Sequence, residues 1–508
     1  MDLSLTLSIV IAYFVLLFII SWITGRDADD STFFSANKSS PWYLVAFGMI
    51  GATLSGITFI SVPGAVGGGH WAYLQFVMGN VVGFILIGLV LLPLYYRLNL
   101  TSIYGYLEQR FGFYAYKTGA FYFLLSRVIG ASLRMYIVAL VLQLALFDQL
   151  GLPFAGTVLL SIALIYIYTF RGGIKTVVWT DTLQTFFILL GAGIAVYVIG
   201  GKLNMGIGEM ISAVASSEYS ETFFWDFAPG NNFFKQFISG IFITIAMVGL
   251  DQDMMQKNLT CPNLKDAQKN VFSFTGVFLL ANIFFLGLGA LLYLYGLDAG
   301  LLQLTDGDCS FLIKNPETGF MDCLSKSDQL FPILALNYLG PVAGIFFILA
   351  VIAAAYSSAD SALTSLTTSF CVDILNFEKR TDTENKRKTR YLVHIGFSLV
   401  LFLVILGFNA LSDDAVVYAI FRLAGYTYGP LLGMFAFGMM TKRKVRDRAI
   451  PIVCIVAPVL TYLINEWAAS MNFGIGFMLL VVNALITIGL LYVLPDKQVE
   501  EKIEEIGS

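Results

Sequence analysis

A stretch of hydroxyl side chains and one carboxylate interrupts a long apolar segment in the second half of the chain. The segment runs from about 331 to 374, and its middle reads AAAYSSADSALTS over 353–365. Positions one, four and seven or eight apart share a face of an α-helix. On that face lie five hydroxyls: Ser357, Ser358, Ser361, Thr364 and Ser365. Asp360 flanks this stripe, and a carboxylate at the centre of a membrane helix costs roughly 2.5–3.5 kcal/mol.

Hydroxyl and carboxylate oxygens are hard donors that suit a hard monovalent cation. Two functional interpretations follow, a sodium site and a proton relay through Asp360. A third interpretation is structural, since Ser and Thr commonly form hydrogen bonds between membrane helices. A second acid, Asp181, lies one to two turns inside another apolar segment, within GGIKTVVWTDTLQTFF at 172–187. The two acids could converge on one cation, or Asp181 could cap or pair locally.

Two arginines also lie inside an apolar segment. Arg127 and Arg134 are seven residues apart, hence on one helix face, and a small-residue patch, GAS, precedes Arg134 closely. A buried guanidinium offers paired donors to a carboxylate. We therefore expect either contact with a solute carboxylate or pairing with an Asp or a helix C-terminus.

The remaining reactive residues do not assemble into a catalytic set. His70 and His394 are isolated, and the sequence contains no Ser-His-Asp set, metal cluster or phosphate-binding loop. An enzyme is thus the least favoured class. Cys309 and Cys323 share one polar loop and could form a disulfide if that loop is extracytoplasmic, or could remain free thiols.

The elements that hold these residues are apolar throughout. The chain has 508 residues, of which 57% are hydrophobic and 13% charged, against about 25% charged in soluble domains. Continuous runs of about 20 apolar residues predict membrane-spanning helices. We therefore predict an all-α polytopic membrane protein in one unit, 1–508, in contact with the lipid bilayer and not with nucleic acid. Its thirteen predicted spans are 3–24, 41–64, 71–96, 116–147, 153–170, 177–201, 233–252, 271–297, 331–376, 391–409, 413–439, 449–467 and 473–494.

The distribution of basic residues predicts the orientation. With the C-terminus in the cytoplasm, the cytoplasmic segments hold 23 of the 30 Lys and Arg residues, and the outer segments hold four. The positive-inside rule therefore places the N-terminus outside and the tail, 495–508, in the cytoplasm. The N-terminus lacks the features of a cleaved signal peptide, so 3–24 is predicted to be a retained helix.

With that first helix set aside, the other twelve spans are numbered core helices 1–12. Core helix 1 contains GMIGATLSGITF, residues 48–59, where three glycines and three hydroxyl residues make a continuous helix unfavourable. A broken helix of this kind marks the binding site of many transporters. The alternative is that the small residues simply permit close helix packing.

Five stretches, taken together and in order, resemble the solute:sodium symporter family, which includes sodium/glucose, sodium/proline and sodium/sialic acid symporters. The stretches are SGITFISVPG (55–64), GGIKTVVWTDTLQ (172–184), GLDQDMMQKNLTCPNLKDAQ (249–268), AAAYSSADSALTS (353–365) and AGYTYGPLLG (424–433). The resemblance implies a leucine-transporter-type core of five plus five helices in inverted repeats, with core helices 1 and 6 discontinuous. The implied parts are the extra helix 3–24, the repeats 41–201 and 233–439, two C-terminal helices in 449–494, and the charged tail 495–508.

The same resemblance implies sodium sites. The main site would use carbonyls of Gly51, Leu54 and Ala354 and hydroxyls of Ser357 and Ser358. A second site, found in some members, would use Asp181, Ser357, Asp360 and Ser361. Several relatives carry Ser or Thr where this chain has Asp360, which either adds a second negative charge or binds a proton. One sodium ion would suffice for transport, and we favour two.

The resemblance also implies a solute cavity above the main sodium site. The matching residues are Thr53, Ser55 and Thr58 on core helix 1 and Arg134 on core helix 3, with Gln75 as an additional polar contact. Hydroxyls combined with an arginine resemble the relatives that transport sialic acid. We therefore expect sodium-coupled uptake of an acidic sugar or another small carboxylate by alternating access, by a monomer in the plasma (inner) membrane. The alternatives are symport of a neutral sugar, polyol or amino acid, and a proton-coupled carrier using Asp181 or Asp360.

Overall fold

The computed structural model describes residues 3–26, 30–53, 56–100, 102–170, 173–305, 311–316, 318–324, 326–377, 383–411 and 416–494. Over these residues the chain is a bundle of helices with one small sheet. Twelve of the thirteen predicted spans coincide with a helix or a bent pair of helices over the described residues. Within the described ranges, nine helices are long and apolar enough to cross a membrane, and two bent pairs could each add one span. The count of thirteen stays a prediction.

The first half of the bundle follows the predicted spans closely. The N-terminal helix is Leu3–Gly25, and short helices at Asp30–Ser35 and Ala36–Lys38 lead into core helix 1. The core helices that follow have these bounds: 1a Trp42–Thr53, 1b Gly56–Gly69, 2 Ala72–Arg97 with a π-helical turn at Ile87–Leu91, 3 Phe113–Leu142, 4 Phe154–Thr169 and 5 Ile174–Leu203. Two short helices, Ile207–Ser216 and Glu218–Ser220, lie in the connection to core helix 6.

The second half departs from the predicted bounds in two places. Core helix 6 does not stop at 252: half-helix 6a, Phe233–Gly249, is followed by half-helix 6b, Gln252–Asn258, at an angle of 71°. The predicted span 331–376 is two helices, Leu330–Asn337 and Pro341–Ser369, because Gly340 adopts a positive φ of 94° before Pro341. The other bounds are 7 Leu264–Asp298, 8 Pro341–Ser369 with a π-helical turn Phe370–Ile374, 9 Thr383–Leu411, 10 Val416–Met440, 11 Ile450–Ser470 and 12 Leu479–Val493.

A three-stranded antiparallel sheet lies between core helices 7 and 8. Its strands are β1 Leu302–Leu304, β2 Phe311–Lys314 and β3 Met321–Cys323, in the order β1-β2-β3. Leu302 pairs with Ile313, and Leu312 pairs with Cys323. This sheet was not predicted. It is confined to a connection and leaves the helical fold class unchanged.

Close glycine contacts fix how the core helices pack. At Gly79 on core helix 2 an added Cβ would lie 2.0 Å from the carbonyl oxygen of Phe237, and at Gly240 on half-helix 6a it would lie 2.1 Å from that of Phe76. Core helices 5 and 8 are equally close, because a Cβ at Gly191 would lie 2.6 Å from that of Ala350. These pairs of backbones touch directly, and the second pair carries Asp181 and the hydroxyl stripe.

Core helix 8 is the most buried of the nine long apolar helices in the described part of the chain. Within its membrane-spanning window 89% of the residues are buried, against 17–61% in the other eight long helices. It contacts core helices 1, 3, 4, 5 and 9 and half-helix 6b. The hydroxyl stripe therefore faces protein and not lipid, which offsets the cost of placing polar groups in a membrane.

Candidate functional site: a sodium and solute site at two broken helices

The two helix breaks and core helix 8 form the centre of the site. The axes of half-helices 1a and 1b differ by 51°, and those of 6a and 6b by 71°. The last four carbonyls of a helix lack an intrahelical donor. Because half-helix 1a ends at Thr53, the carbonyl of Gly51 is among these free acceptors. A freed carbonyl beside a buried hydroxyl stripe is the arrangement that a hard cation requires.

Gly51 is packed against core helix 5 so tightly that no side chain fits. A Cβ there would lie 2.2 Å from Thr185 Oγ1 and 3.3 Å from the carbonyl oxygen of Asp181. Thr185 Oγ1 in turn donates a hydrogen bond to the carbonyl of Phe47, over 3.0 Å. Half-helix 1a is thus held at a fixed distance from Asp181.

Core helix 8 supplies the hydroxyls. Ser357 Oγ donates to Asp181 Oδ1 over 2.5 Å, so its oxygen lone pairs remain free to bind a cation. Ser358 Oγ is buried, and it has no hydrogen-bond partner among the described residues. Ala354, one turn before Ser358, is fully buried. Gly51 lies on half-helix 1a, and Ala354, Ser357 and Ser358 lie on core helix 8, which contacts that half-helix; their joint role as a sodium site stays a prediction. Leu54, the fifth residue predicted for that site, lies outside the described residues.

The residues predicted for a second sodium site are close to one another, but each already has a partner. Asp360 Oδ2 accepts hydrogen bonds from Tyr168 Oη at 2.9 Å and Thr180 Oγ1 at 3.3 Å, and its Oδ1 accepts from the Ser361 backbone N–H at 2.6 Å. Ser361 Oγ donates to Asp253. Asp181 accepts the hydrogen bond from Ser357 Oγ that is described above.

Asp181 also has a cationic partner that the sequence analysis missed. Lys257 Nζ lies 2.7 Å from Asp181 Oδ2, and both side chains are almost completely buried. Counting Lys257 among the cytoplasmic residues was wrong, because half-helix 6b continues beyond the predicted end of core helix 6 and turns back into the bundle. The evidence for the predicted orientation of the chain hardly changes. Of the other 29 Lys and Arg residues, 22 still lie in the predicted cytoplasmic segments.

Half-helix 6b is anchored by two further acidic residues, Asp251 and Asp253. Asp251 caps its N-terminus by accepting from the backbone N–H groups of Asp253 and Met254, and it also accepts from Tyr428 Oη on core helix 10. Asp253 forms an ion pair with Arg127 on core helix 3. Arg127 therefore pairs with an Asp of the protein, which is one of the two alternatives predicted for it.

A signal for this cluster was present in the sequence. In GLDQDMMQK, residues 249–257, an acid and a base stand four apart at Asp253 and Lys257, directly after an apolar run. That spacing puts both on one face of a helix. It predicts a continuing amphipathic turn, whereas the sequence analysis ended the span at 252.

Arg134 lies in a different environment from Arg127. It lines a narrow cavity between core helices 3 and 10 and half-helix 6a, together with Met247, Thr427 and Tyr428. No carboxylate of the described residues forms an ion pair with it, and its buried Nε has no hydrogen-bond partner among them. The cavity has a free volume of about 10 Å³, enough for roughly one water. Arg134 itself is half-buried, and an organic solute needs more room beside it than this cavity offers.

The predicted solute contacts on core helix 1 are partly described. Thr53 Oγ1 is buried without a partner among the described residues, and Thr58 Oγ1 makes a long bond, 3.4 Å, to the carbonyl of Thr53. Ser55 lies outside the described residues. Gln75 is not at the cavity: its amide donates to the carbonyls of Ala72 and Asn231 and accepts from the N–H of Phe224. We therefore drop Gln75 from the solute site.

The cysteine prediction is partly outside the described residues, because Cys309 is among those left undescribed. Cys323 is disulfide-bonded, whereas Cys261, Cys371 and Cys454 are buried and form no disulfide. The pairing of Cys309 with Cys323 stays a prediction.

Comparison with known proteins gives the class. The model of the sodium:solute symporter family matches residues 33–451. The chain therefore belongs to the sodium:solute symporter family. It is a multi-pass membrane transporter and not an enzyme, and sodium is its coupling ion.

Individual relatives share moderate identity over most of the chain. The sodium/sialic acid symporters NanT of Aliivibrio fischeri and SiaT of Proteus mirabilis are each 27% identical over 91% of this chain, and the matches cover 88% and 90% of those proteins. The sodium-coupled monocarboxylate transporter 1 of Xenopus laevis is 25% identical over 89% of this chain and 68% of its own length.

Solved structures confirm the fold. A sodium-coupled sialic acid symporter in its substrate-bound outward-open state superposes with a TM-score of 0.79 at 22% identity, over 97% of this chain and 99% of that one. Mhp1, a nucleobase-cation-symport-1 transporter, gives 0.57 at 14% identity, over 91% and 93%. The predicted fold class, a leucine-transporter-type helical bundle with core helices 1 and 6 discontinuous, is therefore confirmed.

Proposed function

We propose that this protein takes up a small carboxylate, favourably an acidic sugar such as sialic acid, together with sodium by alternating access. The observation that carries the proposal is Arg134, a half-buried guanidinium that lines a narrow cavity and pairs with no carboxylate of the described residues. A carboxylate solute would supply the missing paired acceptor. The relatives named as sodium/sialic acid and sodium-coupled monocarboxylate transporters support the same class of solute.

In this proposal sodium binds first, to the carbonyls of Gly51, Leu54 and Ala354 and the hydroxyls of Ser357 and Ser358. An ion at the break fixes the position of half-helix 1a. The hydroxyls of Thr53, Ser55 and Thr58 are then ordered for the solute, whose carboxylate meets Arg134.

Alternating access would follow from the two breaks. Ion and solute favour a conformation only by binding it more tightly than the other. Since the free volume beside Arg134 holds about one water, the loaded outward state requires core helix 10 or half-helix 6a to move away from core helix 3. The two repeats would be 41–201 and 233–439, with 3–24 and 449–494 as additions, and core helix 2 of the first repeat would move together with half-helix 6a of the second.

We further propose an orientation and location for the protein. The excess of Lys and Arg in alternate loops favours an extracytoplasmic N-terminus and a cytoplasmic tail, 495–508, in the plasma (inner) membrane. The transporter would work as a monomer in the bilayer.

Thermal unfolding of the detergent-purified protein against a panel of solutes, in sodium and again in potassium, tests the function. A ligand that binds only the folded state raises its stability by mass action. We expect stabilisation by sialic acid or another carboxylate in sodium and none in potassium. Stabilisation by neutral sugars alone would overturn the carboxylate assignment and favour a neutral sugar, polyol or amino acid. Stabilisation that ignores sodium would instead favour a proton-coupled carrier.

A further inference from the structure

The ion pair between Lys257 and Asp181 occupies the position at which a second sodium ion was expected. Lys257 Nζ lies 2.7 Å from one carboxylate oxygen of Asp181, and Ser357 Oγ donates to the other at 2.5 Å. Lys257 is 1% exposed and Asp181 is fully buried. Both oxygens of the acid on core helix 5 are therefore engaged inside the protein.

An ammonium group and a sodium ion carry the same charge and neutralise a carboxylate in the same way. Charges interact more strongly inside a protein than in water, because the interior has a lower effective dielectric constant. A sodium ion placed beside Asp181 would therefore be repelled by Lys257 while gaining little from an acid that is already neutralised. The expected second site is filled by the chain itself.

We infer that Lys257 serves as the built-in cation of the second site, so that each solute is accompanied by one sodium ion and not two. The inference rests on the proposed function for the identity of the solute. It replaces the expectation of two sodium ions, because Lys257 neutralises the acid that the second ion would need.

The other ligands expected for that site agree with this inference. Asp360 accepts three hydrogen bonds, from Tyr168, Thr180 and the backbone of Ser361, and Ser361 Oγ is used by Asp253. Only Ser357 belongs to both predicted sites. Its lone pairs remain available to the main site because its proton is directed at Asp181.

The stoichiometry has a measurable electrical consequence. One sodium ion and one monovalent carboxylate together carry no net charge, so the membrane potential should not drive their uptake. Two sodium ions with the same solute would move one positive charge. At equilibrium, one net charge changes solute accumulation tenfold for about 59 mV.

Proteoliposomes test this directly. Accumulation of radiolabelled sialic acid is measured under a fixed sodium gradient, with potassium and valinomycin setting the potential at zero or about 59 mV inside negative. We expect the same accumulation at both potentials. A tenfold rise at the negative potential in the wild-type protein would overturn the inference.

Variants at the ion pair make the test specific. Lys257→Met leaves the negative charge of Asp181 without its partner, so a second sodium ion should bind there. Accumulation of sialic acid should then rise tenfold when the potential changes from zero to about 59 mV inside negative. Lys257→Arg keeps the cation, and the double variant Lys257→Met with Asp181→Asn removes both charges. Each of these two should remain insensitive to the potential. An active Lys257→Met variant that also remains insensitive would contradict the assignment.

Failure of the proposed function gives a different result. If the protein carries only a neutral solute, accumulation of that solute by the wild-type protein should depend on the potential. The change from zero to about 59 mV inside negative should raise it tenfold with one sodium ion and a hundredfold with two. The number of sodium ions is then still decided, by the wild-type protein alone, even if Lys257→Met does not fold.

Discussion

Ser357 Oγ donates to Asp181 Oδ1 over 2.5 Å, which joins core helix 8 to core helix 5 at the centre of the bundle. The bond fixes the hydroxyl's orientation as well as its position. Its proton points at the carboxylate, so the oxygen presents lone pairs elsewhere. A serine held in this way is a better ligand for a cation than one free to rotate, since no rotational freedom is lost on binding.

The first prediction concerns Ser358, whose hydroxyl is buried without a partner among the described residues. Ser358→Ala should weaken apparent sodium affinity by roughly tenfold or more, because a bond to a charged group contributes about 1.5–3 kcal/mol. The melting temperature without sodium should hardly change. Sodium titrations of solute binding measure the effect. Ser365→Ala is the control, since its hydroxyl bonds the carbonyl of Ala362, and an equal loss there would argue against a specific role for Ser358.

The second prediction concerns the close contact at Gly51. An added Cβ would lie 2.2 Å from Thr185 Oγ1, so Gly51→Ala should push half-helix 1a away from core helix 5. We expect a lower melting temperature, from overpacking of about 1–3 kcal/mol, and weaker sodium binding.

Two variants control for the Gly51 result. Adding Thr185→Ala removes the nearest atom and should restore part of the loss. Gly193→Ala on core helix 5 should be harmless, because no atom of the described residues lies within 4 Å of its Cβ. A Gly51→Ala protein with unchanged sodium affinity would mean that half-helix 1a does not set the site.

The third prediction concerns Arg134. Arg134→Ala should leave the stability of the ligand-free protein nearly unchanged, since the guanidinium pairs with no carboxylate of the described residues. Binding of a carboxylate solute should fall by roughly tenfold to a hundredfold, the loss of a charge-assisted bond. Calorimetry with sialic acid and with its uncharged methyl ester separates charge from shape. If both ligands lose affinity equally, Arg134 does not recognise the carboxylate.

The fourth prediction concerns Asp360, which has no ion-pair partner within the described part of the chain. Asp360→Asn keeps an acceptor for Tyr168 and Thr180 but removes a buried negative charge one turn from Ser357. Apparent sodium affinity should fall several-fold, because the charge attracts the ion through a low-dielectric medium. The melting temperature should change little or fall slightly, because the amide N–H₂ of Asn must face one of the three groups that now donate to Asp360. Higher sodium affinity in the variant would contradict this role.

The fifth prediction concerns the cysteines. Peptide mapping of the unreduced protein by mass spectrometry should find Cys323 joined to Cys309. Reduction should release the two peptides and lower the melting temperature, since a closed loop of this length restrains the unfolded chain by about 3 kcal/mol. Recovery of Cys309 as a free thiol in the unreduced protein would disprove the pairing.

The architecture was largely predictable because lipid restricts the chain to apolar helices. Runs of about 20 apolar residues located the spans, and glycines with hydroxyls at 48–59 marked the first break. The hydroxyl stripe and Asp181 were evident for the same reason, as polar groups are rare in such helices. Their meeting at Ser357 was implied by the family resemblance and not by spacing.

The partner of Asp181 could not be obtained from local pattern. Lys257 stands 76 residues from Asp181 along the chain, and its position at the end of an apolar run is typical of a residue in water. Only the turn at 250–251 carries it back into the bundle. The hydrogen bonds of Gln75 to Phe224 and Asn231 could not be predicted either. Those two residues lie in a long connection, where the sequence has no helical periodicity from which contacts could be inferred.

The backbone contact between Gly79 and Gly240 limits how this transporter can move. Side chains that interdigitate can slide past one another by changing rotamer, but two backbones pressed together have nothing to readjust. Core helix 2 and half-helix 6a must therefore travel as a single rod. We therefore expect core helix 6 to bend at the joint after Gly249, where half-helices 6a and 6b already differ by 71°.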